Sequence, residues 1–193
     1  GNDMISEPGR SWAIKGTADI LWGADVTSAN SALWASYWSH VDQFLTRGYA
    51  AGGHKKFIHN ALYAKIPATD SRRKLWVNLT DYPDIAQKIK RQARNKEVEM
   101  EDFDQMKFIA GEDGMEQDYC FIRVQDPILL EIEAQIEQNK LTQAAANLNA
   151  FAQKRDPAFV AATTQADLRE QVRFQRRIEL WFEGTNWFDM KRW

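Results

Sequence analysis

The sequence lacks several features that would assign it to a class of protein at once. A single cysteine, Cys120, excludes an intrachain disulfide and a multi-cysteine metal site in these 193 residues. No apolar run approaches the roughly 20 residues that a membrane-spanning helix needs, and residues 1–10 lack the basic and apolar regions of a signal peptide. Charge excess is also missing, because 25 basic residues face 27 acidic ones. We therefore expect no nucleic-acid partner.

Catalytic and cofactor motifs are missing too. The three histidines, His40, His54 and His59, do not have the spacing of zinc ligands. The sequence contains neither the G-x-S-x-G motif of a hydrolase nor a phosphate-binding or dinucleotide-binding glycine loop. We expect no metal, no cofactor and no catalytic residue.

Aromatic residues, in contrast, are abundant, with 8 Trp, 5 Tyr and 10 Phe. Between residues 33 and 45 large apolar side chains recur with a helical period, after Asn30 and Ser31, which can cap a helix. An aromatic stripe of this kind either packs in a core or stacks on the apolar faces of sugar rings. The candidates for ligand binding are Trp34, Tyr37, Trp38 and Tyr49.

The last third of the sequence predicts three helices. Asp126 and Pro127 can begin the first helix, Thr142 can cap the second, and Thr163 or Thr164 can cap a third that runs to about Phe182. Short links and small alanines predict that the first two pack closely as a pair, as in tetratricopeptide repeats. Earlier in the chain, residues 20–22 favour a strand and residues 48–54 a loop or hairpin.

Glu179 falls within the apolar arc of the third predicted helix. A buried carboxylate is costly unless it is paired or hydrogen-bonded. The partners nearest in sequence are Arg176, Lys191 and Arg192. We therefore predict a buried polar network that joins the end of this helix to the residues after it.

The final segment, FQRRIELWFEGTNWFDMKRW, closely resembles the C-terminal signature of the SusD/RagB family. Interleaved charges and aromatics near a helix end suit an ion network that faces a core, so we interpret the signature as structural. Gln175 and Asn186 depart from the family pattern, which places one ion pair in doubt. The signature residues are Arg176, Arg177, Glu179, Glu183, Gly184, Trp187, Phe188, Asp189 and Arg192.

Three earlier segments resemble the family in the same order along the chain, at residues 19–28, 63–72 and 119–134. The whole of 1–193 is thus identified as a C-terminal SusD/RagB-like portion, and the charged stretch 81–105 as a variable insertion that carries a solvated helix. The resemblance implies a mostly α fold: tetratricopeptide-like helical pairs with irregular loops and a few short strands, part of a SusD-like α/α superhelix.

The function that the resemblance implies is capture of an oligo- or polysaccharide for a SusC-like, TonB-dependent transporter. It also implies a lipoprotein exposed on the outer-membrane surface, whose lipid anchor is absent from this chain. One alternative is a structural or docking module without ligand contact. A weaker alternative is a glycoside hydrolase that uses Glu179 and Glu183, which the basic residues nearby argue against.

Overall fold

The computed structural model describes residues 19–27, 29–30, 36–43, 48–84, 100–109 and 117–193. Within these ranges helices predominate over strands, which confirms the predicted fold class. The helices are α1 (Tyr37–Val41), α2 (Asn60–Tyr63), α3 (Gln125–Glu137), α4 (Leu141–Ala152), α5 (Gln165–Glu179) and α6 (Asn186–Arg192), with a 3-10 helix at Ser71–Leu75, and the strands are β1 (Ile20–Ala24) and β2 (Tyr119–Arg123). Across these ranges, each helix falls short of the length or apolar character of a membrane span.

The chain divides into two compact units. Unit 1 comprises Gly1–Ala68 and Arg72–Cys120, and unit 2 comprises Thr69–Ser71 and Phe121–Trp193. Most of the predicted charged helix between residues 81 and 105 lies outside the described residues. The insertion therefore stays a prediction.

In unit 1 the aromatic helix is shorter than its periodicity predicted. Ser36, rather than Asn30 or Ser31, caps α1 by accepting a hydrogen bond from the Ser39 amide, and the backbone is already extended at Asp42. The helix therefore ends at Val41. The buried side chain of Gln105 contributes to ending the helix there, because its Nε2 donates to the Val41 carbonyl at 2.7 Å.

Irregular backbone around residues 54–77 is organised by contacts with residues 101–106. The Val77 amide donates to the Asp104 carbonyl, and the Met106 amide donates to that of Leu75. The buried carboxylate of Asp104 also accepts a bond from Lys55 at 3.3 Å. Burial raises the pKa of Asp104, against the opposing effect of hydrogen bonds from the Glu101 amide and Lys55. Hydrogen bonds between distant segments thus satisfy several backbone and side-chain polar groups of this loop-rich unit.

Unit 2 is built on three helices that pack on one another, α3, α4 and α5. Thr164 caps α5 as predicted, accepting from the Asp167 amide. Helix α3 begins one residue before the predicted cap Asp126, and α4 begins at Leu141 with Lys140 as its N-cap, so Thr142 lies inside the helix. The apolar core of the trio consists of Leu129, Ile132, Ile136, Ala144, Leu148, Phe151, Ala152, Ala161, Leu168 and Val172. The predicted pairing of amphipathic helices is confirmed.

The turn after α5 differs from its prediction. Helix α5 ends at Glu179, three residues before the expected end at Phe182. Phe182 and Gly184 both adopt left-handed backbone angles, with φ of 62° and 85°. Left-handed residues cannot continue an α-helix, and a short separate helix, α6, begins at Asn186.

Candidate functional site

The carboxylate of Glu179 is fully buried at the end of α5. Arg155 holds it through two bonds, from Nη2 to Oε1 at 3.0 Å and from Nε to Oε2 at 3.3 Å. Arg123 lies on the other side, with Nη1 3.7 Å from Oε1, and its Nη2 donates to the Glu179 carbonyl at 3.0 Å. The buried ion pairing of Glu179 is confirmed. The expected partners were wrong, because arginines from distant segments occupy the positions given to Arg176, Lys191 and Arg192.

Arg123 links Glu179 to Glu183 across the turn. Its Nε donates to Glu183 Oε2 at 2.9 Å, and its Nη2 donates to Oε1 at 2.6 Å. Two parallel bonds of this type are the strongest geometry for an arginine–carboxylate pair. The turn is therefore fixed to β2, which carries Arg123 at its end.

A second part of the network centres on Asp189 of α6. Arg176 donates to it from Nε at 2.9 Å and from Nη2 at 3.1 Å, and the same Nη2 reaches Asp126 Oδ1 at 2.8 Å. Arg176 and Asp189 are both buried. Arg176 is thus committed to α3 and α6 and is not paired with Glu179.

The end of α6 is attached to α3 through Glu133. Arg192 donates both Nη atoms to this carboxylate, from Nη2 to Oε2 at 2.6 Å, and the indole Nε1 of Trp193 donates to Oε1 at 2.9 Å. The hydrogen bond with Glu133 raises the pKa of the Arg192 guanidinium. The last two residues are therefore held on α3.

The remaining signature residues lie on the surface or in the turn. Arg177 is exposed on α5. Gly184 has φ 85° and open space where a Cβ would lie, so the backbone angle, and not the available room, favours glycine there. Trp187 and Phe188 are 60% and 70% exposed, which differs from the core-facing position inferred from the sequence.

This network makes a poor hydrolytic centre. A glycosidase needs one carboxylate that can donate a proton and a second that is free to act as base or nucleophile. Glu179 is buried between Arg155 and Arg123, and Glu183 is paired with the same Arg123. Arginines at these distances stabilise the ionised carboxylates, so the arrangement favours structure over proton transfer.

The aromatic candidates for ligand binding lie in unit 1, and the structure describes three of the four. Trp34 lies outside the described residues. Trp38 is 2% exposed, and its Nε1 donates to the Asp118 carbonyl at 3.2 Å, so its ring is part of the core in this conformation. Tyr37 is half-buried, with its ring edge-on to Trp38 and Phe108.

Tyr49 and His40 form a stacked pair next to this aromatic cluster. The ring centroids are 4.7 Å apart at an interplanar angle of 17°. His40 is exposed and Tyr49 is half-buried. A bond from the Ala50 amide to the Ser39 carbonyl at 2.9 Å holds the two backbones together. The pair presents aromatic surface to solvent from a fixed backbone.

Metal ligands are not grouped in the described part of the chain. In residues 19–27, 29–30, 36–43, 48–84, 100–109 and 117–193, no cluster of three or more His, Cys, Asp or Glu side chains could hold an ion. Cys120 is half-buried and is not part of a disulfide.

Sequence reasoning missed the residues that complete the network and the aromatic pair. Arg123, Arg155 and Glu133 were not singled out. For Glu133, its place as a charged residue within a predicted helix was the available signal. His40 was considered only as a metal ligand. Its position one helical turn after Tyr37 was the available signal for a role in the aromatic surface.

Packed amphipathic helices, with buried arginine–carboxylate bonds at the end of α5, define a mostly helical class of protein. The chain belongs to the SusD family, whose family model matches residues 95–193, just over half of the sequence. The resemblance read from the signature is thereby confirmed. No curated protein gives a significant match.

Solved structures that share the fold include two from one organism. A SusD-like carbohydrate binding protein from Bacteroides vulgatus ATCC 8482 has a TM-score of 0.66 at 18% identity, covering 91% of this chain and 34% of that protein. A provisionally assigned sugar binding protein from the same organism has a TM-score of 0.63 at 19% identity, with the same coverage. The chain therefore spans about a third of the length of each structure.

Proposed function

We propose that this chain is part of a glycan-binding protein of the outer-membrane surface, which hands an oligo- or polysaccharide to a SusC-like, TonB-dependent transporter. The observation that carries the proposal is membership of the SusD family. The solved structures with this fold are described as carbohydrate or sugar binding proteins, which agrees with it. Attachment to the membrane would require a lipid anchor. The protein acts as a binder and not as an enzyme.

The proposed contacts with the sugar are aromatic. Sugar rings carry an apolar face that stacks on aromatic side chains, while their hydroxyls need polar partners at the rim. Tyr37 and Tyr49 are half-buried, so each is held by the protein and keeps part of its ring accessible. Trp34 stays a candidate contact. Trp38, being buried, would act by supporting Tyr37, whose ring lies 5.7 Å from its own.

Replacing Tyr49 by alanine should weaken saccharide binding about 5- to 10-fold, because an aromatic contact contributes about 1 kcal/mol beyond its area. Tyr37→Ala should act similarly. The measurement is isothermal titration with the best binder from a panel of soluble polysaccharides and oligosaccharides.

The matched control is Tyr82→Ala, which removes another half-buried tyrosine of unit 1 whose ring lies near Lys74. It should leave affinity unchanged. Equal losses at residues 49 and 82, or none at residues 37 and 49, would contradict the assignment of these contacts. When the protein is incubated with the saccharide that it binds, we expect no shorter products. If hydrolysis were seen and Glu183→Gln abolished it, the result would favour a glycosidase.

A second candidate function, a docking module, is favoured by one specific observation. Three large apolar side chains of α6, Trp187, Phe188 and Met190, are 60%, 70% and 57% exposed. Exposed apolar clusters commonly mark interaction surfaces. Because the solved relatives are about three times as long, the occupant we propose is another part of a SusD-type polypeptide.

A photo-crosslinking amino acid at position 188 should form a covalent adduct in cells that make the native protein, while one at position 160 should not. Val160 is the matched control, since it is 74% exposed in the same unit. Mass spectrometry of the adduct identifies the occupant. Equal and low crosslinking at both positions would count against docking through α6, without bearing on saccharide binding.

A further inference from the structure

Helix α6 lies outside the apolar core of unit 2. That core is formed by α3, α4, α5 and the residues between α4 and α5, and among the described residues it includes none from α6. Asp189 is the one buried residue of the helix. The large apolar side chains of α6 face solvent. Packing of apolar groups, which fixes most helices of this length, therefore contributes little to its position.

Charged hydrogen bonds hold α6 in place instead. Arg176 of α5 binds Asp189, and Glu133 of α3 accepts from Arg192 and Trp193. The Arg192 side chain is 37% exposed, against 10% for Glu133, so water can compete for this attachment. The Trp193 ring also lies 5.4 Å from the Arg173 guanidinium.

The turn that precedes α6 is conformationally unusual. Phe182 has a φ of 62°, and for a bulky residue the left-handed region is unfavourable. Gly184 adopts the same region without this cost. Glu183, between them, is fixed to Arg123. The turn thus combines a residue bonded to Arg123 with backbone strain at Phe182.

We propose that α6 opens as a unit about the turn at residues 182–184 while α3, α4 and α5 stay folded. The hydrogen bonds that Glu133 accepts from Arg192 and Trp193 hold the helix closed. Segments with few apolar contacts unfold locally at a lower free energy than the packed core. Opening separates Asp189 from Arg176, which keeps Asp126 as its partner. Opening releases the strained Phe182 and lets Trp187, Phe188 and Met190 reorient toward a partner. This opening of α6 does not depend on the proposed saccharide binding.

Hydrogen–deuterium exchange of the intact chain tests this proposal. Amides of α6, such as that of Trp193, which donates to the Asp189 carbonyl, should exchange about tenfold or more faster than those in the middle of α5. Glu133→Gln should accelerate α6 about tenfold further, because it weakens a charge-assisted pair, and leave α5 unchanged. Arg192→Met removes the same pair together with the bonds from Arg192 to Asp189, and should accelerate α6 at least as much.

The matched control is Glu137→Gln, one turn further along α3. Glu137 pairs with Arg169 of α5 at 2.6 Å. This variant should leave exchange of α6 at the wild-type rate. Equal exchange of α6 and α5 in the wild-type chain, or equal acceleration of both helices by Glu133→Gln, would overturn the proposal and make α6 part of one cooperative unit.

Discussion

Replacing Glu179 by glutamine is expected to lower the free energy of unfolding by about 3–5 kcal/mol, since removal of one partner leaves buried arginine charge uncompensated. Glutamine keeps one acceptor oxygen but removes the negative charge that Arg155 binds through two bonds, and Arg155 is itself nearly fully buried. Arg123 keeps Glu183 as a partner, so the loss falls mainly on Arg155. Urea denaturation followed by circular dichroism measures the change.

The control for this variant is Glu170→Gln on the same helix. Glu170 is 78% exposed and pairs with Arg173 at 3.4 Å, and exposed pairs of this kind contribute little. Its unfolding midpoint should match that of the wild-type chain. Similar midpoints for Glu179→Gln and Glu170→Gln would show that the buried network does not stabilise the fold.

Leu129→Ala is expected to cost about 2–5 kcal/mol, through lost burial and the cavity that remains. Leu129 is fully buried where α3 meets the other two helices. The next residue, Leu130, is 40% exposed in the same helix and provides the control, because Leu130→Ala removes the same atoms from a solvated position. The measurement is again urea denaturation. Equal losses for the two variants would contradict the placement of the core on one face of α3.

The helical trio could be predicted because its signals are local. Apolar residues at a helical period, a threonine at the start of α5 and short links each act within a few residues, and all survive in the structure. The aromatic helix was predicted too long because its periodicity continued past Val41. The backbone there turns extended at Asp42, and a buried amide 64 residues away holds the Val41 carbonyl.

The partners of Glu179 could not be predicted because they are distant in sequence. Arg155 lies 24 residues from Glu179 and Arg123 lies 56 residues from it, whereas the choice made from the sequence was limited to neighbouring basic residues. The need for a partner followed from burial alone, and that part was correct. The exposure of the aromatic candidates could not be predicted either, because the periodicity does not show that Trp38 is buried while Tyr37 is half-buried.

The arginines of this network have a consequence for how such sequences can diverge. Arg123 serves Glu179 and Glu183, and Arg176 serves Asp126 and Asp189. Each arginine therefore pairs with two carboxylates. If one carboxylate is replaced by a basic residue, the arginine still has to pair with the other. In related sequences, an arginine and its two carboxylates should therefore be replaced together, and the exchange of a single charge should be rare.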